Sequence, residues 1–249
     1  MKNIIKLTLA ASTVALLVAC GGGGGNSTPV SSTGPATSVD PQGFWTGPAS
    51  TGYTVSTAVL ENGETWGIYS SGSTIYGALY GTTTTNGNTA TISGTDFNFL
   101  TNSSSSGNLT GPIVAKSTMS LTGSGVTVPL TYGTSYDTAA TAQAITGTWS
   151  FIGRSGLYTL VPGSITINSS GAFTLSQIGC VTTGSIVPRS GGKNIYNVSL
   201  SATGVNCVAG QSTMSGIVYL DRTVTPNKFL SLALTPSKND GVVVIGTKQ

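Results

Sequence analysis

The sequence predicts an all-β protein, built as two small antiparallel barrel-like or sandwich domains in tandem. Three observations carry that reading. Only 7% of residues are charged and 35 are Gly, so the chain lacks both the ion pairs and the propensity for helices. Thr, Val, Ile and Tyr recur in short runs divided by Gly, Asn and Pro, which is the texture of strands and tight turns. The phrase Gly43-Phe44-Trp45-Thr46-Gly47 returns as Gly147-Thr148-Trp149-Ser150-Phe151, and each copy opens about 100 residues of strand-like runs. An apolar share of 38%, arranged in a pattern, argues against disorder.

The chain opens on Lys2 and Lys6, followed by an uncharged apolar stretch from Leu7 to Ala19 that is short for a bilayer span. Residues 1–19 are expected to be a secretory signal peptide. Residues 20–42 are Cys20, five Gly and a Ser/Thr/Pro run, the composition of a flexible tether reaching roughly 25 Å. A first β domain is expected over 43–133, a connector or one short helix over 134–146, and a second β domain over 147–249. Each domain is expected to fold as a separate unit.

In the first domain, Tyr53 to Leu60 and Thr65 to Tyr69 form a hairpin across Asn62-Gly63, read as a type I′ turn. Thr74 to Thr83 pairs with Thr89 to Ser93 across Asn86-Gly87-Asn88. Further strands are expected at Asp96 to Leu100, Ile113 to Leu121 and Val126 to Tyr132, with Asn102 to Asn108 as a Ser/Gly loop tip. The second domain offers eight: Gly147 to Ile152, Leu157 to Ile167, Ala172 to Gln177, Val181 to Val187, Ile195 to Ala202, Thr213 to Leu220, Phe229 to Leu234 and Val242 to Gly246. Closing such a set into a barrel removes exposed edges.

The residue inventory excludes several function classes. His is absent, which removes the commonest general base and metal ligand and any Ser-His or Cys-His pair. There is no Cys/His cluster and no acidic calcium loop, so no metal or cofactor is expected. The formal charge of +3 falls to +1 once Lys2 and Lys6 leave, and no basic stripe remains for nucleic acid. Residues 41–145 carry Lys116 against Glu61, Glu64, Asp96 and Asp137, a net −3. Residues 146–249 carry seven Lys and Arg against Asp221 and Asp240, a net +5. Solvated turns account for most of these charges, and a weak surface for an acidic partner is the other reading.

Glu61 and Glu64 flank a turn closely enough to invite a carboxylate-pair hydrolase. Charged residues also serve simply to keep a hairpin tip in water. Ser190-Gly191-Gly192-Lys193 spells S-x-x-K but reads as a turn, without the partner motifs of the enzymes that use it. Trp45 and Trp149 are ligand platforms or, on the commoner pattern, core residues. Cys180 and Cys207 form a disulfide or two buried thiols. Export favours the disulfide. It would need the arms Val181–Val187 and Ile195–Ala202 to pair and the chain to bend back at Gly204.

Leu17-Val18-Ala19-Cys20 resembles the lipobox of bacterial lipoproteins. The resemblance implies that Cys20 is lipidated and becomes the mature N-terminus. It also implies that Gly21, not being Asp, sends the protein to the outer membrane of a Gram-negative host. The whole chain loosely resembles surface and outer-membrane lipoproteins of uncharacterised function, with a Gly-rich tether and tandem β domains. Gly147-Thr148-Trp149 resembles the G-x-W of lipocalins, which implies a ligand cavity. The expected function is a lipid-anchored, non-enzymatic binding or interaction module, its partner a protein or a small apolar ligand. A structural envelope lipoprotein is the alternative.

Overall fold

A computed structural model describes residues 37–156, 158–160, 162–207, 210 and 212–249. The expected signal peptide, Cys20 and most of the expected tether therefore lie outside the described residues. The architecture is two closed eight-stranded antiparallel barrels in tandem, as the strand-rich, turn-punctuated sequence predicts.

The first barrel runs up and down through β1 (Gly43–Pro48), β2 (Thr54–Val59), β3 (Glu64–Ser71), β4 (Thr74–Asn86), β5 (Thr89–Asn98), β6 (Ser103–Val114), β7 (Thr118–Gly123) and β8 (Val126–Tyr132). It closes where Trp45 pairs with Tyr132 and Thr46 with Thr131. The second barrel uses β9 (Gly147–Ser155), β11 (Gly163–Ile167), β12 (Ala172–Gln177), β13 (Cys180–Pro188), β14 (Ile195–Gly204), β15 (Ser212–Asp221), β16 (Lys228–Leu234) and β17 (Gly241–Lys248). Pairing of β17 with β9, from Val243 opposite Arg154 to Lys248 opposite Trp149, closes it. The short β10 (Tyr158–Thr159) adds to the far end of β9.

Several elements differ from the sequence expectation, each for a physical reason. The Leu157–Ile167 strand is split into β10 and β11, with Pro162 between them and unable to donate to a ladder. The Ile113–Leu121 strand is broken by a turn in which Lys116 takes a positive φ of 51°. The Asp96–Leu100 strand is the end of β5. The expected loop tip 102–108 is largely strand: β6 pairs with β5 from Ser103 opposite Asn98 to Pro112 opposite Thr89. Ser and Gly read as loop by composition, yet β5 satisfies their backbone groups along its whole length. In the β2–β3 hairpin only Gly63 has positive φ, at 80°, so the turn is not type I′. The Gly63 amide closes it by donating to the Leu60 carbonyl at 2.9 Å.

The chain is held to the barrel before Gly43. The Val39 amide donates to Gly87, the Val39 carbonyl accepts from Thr85, and the Val39 side chain packs on the first core. An apolar residue inside the expected tether 20–42 thus finds a surface to bury on. The connector holds a 3-10 turn at Thr134–Asp137 and a single helical turn, α1 (Ala142–Ile145).

The two Gly/Trp openings are structural equivalents. Both indoles are fully buried at one end of their barrels. Trp45 Nε1–H donates to the Pro41 carbonyl at 3.0 Å, and Trp149 Nε1–H to the Ile145 carbonyl at 2.8 Å. Each indole is therefore tied to the carbonyl four residues upstream, which fixes the chain entering the barrel across that end.

The described residues belong to one compact unit, Ala36–Gln249. Outward-facing Trp66, Ile68, Ala78 and Phe97 of the first barrel share a core with outward-facing Ile217, Tyr219, Leu232 and Leu234 of the second. Phe44 stacks on Tyr219 with ring centroids 3.6 Å apart. Arg154 of β9 donates to the carbonyls of Ile75 and Phe99 in the first barrel and Gly156 in its own.

Candidate functional site

The interior of the second barrel is packed at the Trp149 end by Ile145, Ile167, Tyr196, Val218 and Leu220. Toward the other end the filling stops. A cavity of about 330 Å3 remains, within the range that holds small ligands. Its wall is built by strand alternation. Phe151 of β9, Phe173 and Leu175 of β12, Leu200 of β14, Met214 of β15 and Val244 of β17 all turn inward. Polar groups on it are few, among them Thr182, Ser231 and Asn206.

Cys180 and Cys207 lie on this cavity and are joined by a disulfide, with Cα atoms 4.9 Å apart. Cys180 pairs with Gly204 in the β13–β14 ladder, so Cys207 overshoots the register by three residues. The chain returns through Gly204, whose φ of 127° excludes most side chains. The bridge thus belongs to the wall beside Ile178 and Asn206. Asn206 Nδ2 donates to the Ile178 carbonyl at 2.9 Å and holds the return in place.

The first barrel has its own cavity, of about 350 Å3, with a different character. Val55, Leu79, Ile92, Leu121 and Val128 give an apolar wall, while Tyr53, Tyr69, Asp96 and Asn98 bring polar groups to it. Burial pushes the Asp96 carboxyl above its ordinary value, against the opposing hydrogen bond from Tyr69. Burial, then the charge of Asp96, raises the Tyr69 phenol. The Tyr69 hydroxyl also reaches the Phe97 carbonyl at 3.2 Å.

The residues singled out in the sequence disperse. Cys20 lies outside the described residues. Trp45 and Trp149 are core rather than ligand platforms. Glu61 receives Nε and Nη2 of Arg189 at 2.9 and 2.7 Å. Glu64 accepts instead from the Tyr80 hydroxyl at 2.9 Å. The hydrogen bonds from Arg189 hold the Glu61 carboxyl below its ordinary value. Two carboxylates committed to separate partners do not make an acid and a nucleophile. In the Ser190–Lys193 turn, Lys193 pairs with Asp137 at 2.7 Å. Among the described residues no cluster of His, Cys, Asp or Glu could hold a metal, and no helix is long and apolar enough to cross a membrane.

The charge imbalance between the halves is met in part within the molecule. Arg189 of the second barrel takes Glu61 of the first. Asp137, in the connector, takes Lys193 and Lys116 and accepts from the Tyr132 hydroxyl. Lys238 lies over the rings of Trp66 and Tyr80, 5.2 and 4.9 Å from their centroids. The expected reading of solvated turns therefore fails for Arg154, Arg189, Lys193 and Lys238.

Sequence reasoning missed the shared face between the barrels and the cavity position of Asp96. Both had signals. Ile217-Val218-Tyr219-Leu220 is apolar without alternation, the mark of a strand buried on both faces. Asp96 falls at the even spacing of Ile92 and Gly94, the inward parity of β5.

Comparison with protein-family models gives no match, and comparison with curated proteins gives none. Among solved structures the chain is similar to a protein of Bacteroides fragilis provisionally described as an outer membrane protein. That likeness has 15% sequence identity and covers 86% of this chain and 98% of the other. Its TM-score is 0.23.

Proposed function

We propose that the chain is a lipid-anchored, non-enzymatic binding module of the bacterial outer membrane whose second barrel takes up a small apolar ligand. The supporting observation is the cavity of about 330 Å3, lined mainly by Phe, Leu, Val and Met and left unfilled beside a well-packed core. Interiors normally pack to crystal-like density, so a gap of this size at the end of the barrel away from Trp149 is a feature to be filled. The lipobox and Gly-rich run around Cys20 supply the anchor. One acyl chain holds a protein only marginally, and the lipoprotein resemblance implies three.

A titration of the full chain with the neutral fluorescent probe N-phenyl-1-naphthylamine tests the ligand. Saturable binding at one site is expected, with loss in Leu200→Trp, which fills the cavity. Absence of saturable binding, or equal binding by the variant, rejects the reading. Mass spectrometry of the mature N-terminus tests the anchor. The expected species begins at acylated Cys20, and a chain that still begins at Met1 or carries an unmodified Cys20 contradicts it.

A further inference from the structure

The cavity of the first barrel is not a copy of the second. Its described lining contains one charged group, Asp96, and no Lys or Arg. The chain has no His to take that place. Removing a carboxylate from water without a cation is costly, and the hydrogen bond from Tyr69 does not offset it: burial still dominates at Asp96.

Aromatic rings gather beside the carboxyl. Tyr53 and Tyr69 both line the cavity, with centroids 5.7 Å apart. Tyr53 is backed by Tyr76, stacked at 4.7 Å. A register shift between β3 and β4 at Tyr69/Ser70 leaves Tyr76 as the extra residue, and such bulges re-aim side chains. Gly77 makes the arrangement possible: a Cβ there would lie 2.0 Å from the Tyr69 hydroxyl. A carboxylate with π faces at hand is the chemistry that receives an ammonium group. The apolar wall of Val55, Leu79, Ile92 and Leu121 then takes an uncharged body.

The geometry points to a second binding site, in the first barrel, for a small monocationic amine with an apolar body. Asp96 is the counter-ion, and Tyr53 and Tyr69 present their rings to the cation. This site is independent of the one proposed in the second barrel, so either can fail alone.

Equilibrium dialysis of the full chain against 2-phenylethylamine, 2-phenylethanol and 3-phenylpropanoate tests it. The amine is expected to bind at one site, at least roughly tenfold more tightly than the neutral alcohol, and the carboxylate not at all. Asp96→Asn should lower amine affinity to that of the alcohol and leave the alcohol unchanged. Leu200→Trp should leave amine binding intact. Tyr53→Leu gives an independent readout, because loss of the ring should weaken the amine more than the alcohol. The proposal is overturned by no saturable binding of the amine, by equal binding of amine and alcohol, by an Asp96→Asn variant that binds the amine as the parent does, or by loss of amine binding in Leu200→Trp.

Discussion

Asp137 and Asp96 are opposite cases of a carboxyl in this fold. Asp137 is gripped by Lys193, then Lys116 and the Tyr132 hydroxyl, which hold it down at about 2. A lowered acid stabilises the fold at neutral pH. That contribution is complete above about pH 4 and disappears as pH falls toward 2. About a third of the side chain is exposed, so screening reduces the gain to about 1 kcal/mol. Asp137→Asn should accordingly lower the melting temperature at pH 7 and have little effect at pH 2. An equal loss at both pH values would contradict the assignment. Asp96 is raised by burial, so its charge works against folding as pH rises. Asp96→Asn should melt at or slightly above the parent at pH 7, as expected of a residue kept for binding rather than stability. A large drop in melting temperature would make it structural. The sequence shows Asp96 only to a reader who counts parity from Ile92. Asp137 gives no such signal, because its lysine partners lie 21 and 56 residues away.

At the level of elements, the β13–β14 arm pair is where the sequence reading reached furthest. Cys180, Gly204, Cys207 and the two strand runs lie within one local segment, so pairing, overshoot and bend were all legible. Closing that loop, with its separation of 27 residues, is worth roughly 3.5 kcal/mol in the chain-entropy model. Cys180→Ala with Cys207→Ala should therefore lower the melting temperature by about 10 °C, and reduction of the parent should do the same. Calorimetry with and without reductant checks both, and a double variant as stable as the parent contradicts them. The Ser103–Asn108 run escaped the reading for a physical reason. A strand at a barrel rim keeps exposed side chains, so no alternation marks it, and only its ladder with β5 makes it a strand. The type of the β2–β3 turn was missed because Asn-Gly serves more than one turn geometry.

The whole molecule is two barrels with a common face, and the sequence supplied the barrels more readily than the face. Period-2 alternation reports one buried side. Strands such as β15 and β16, buried on both, lose the alternation. The opposed net charges of the halves were the other clue, and they are met in part by Glu61–Arg189 and Asp137–Lys193. Arg154→Ala would leave the carbonyls of Ile75 and Phe99 without their shared donor, at a cost of about 2–4 kcal/mol. Denaturant unfolding followed by Trp fluorescence should show one transition in the parent and a lower midpoint in the variant. Two separate transitions in the parent would show independently folding domains. The cavity of the second barrel is the feature on which the proposed function turns. Native mass spectrometry of the full chain, isolated from the envelope of the cell that makes it, tests that most directly. The expected result is a non-covalent adduct of one small apolar molecule per chain, released on denaturation and missing from Leu200→Trp. Adduct-free parent chains, or an adduct carried equally by the variant, would contradict it.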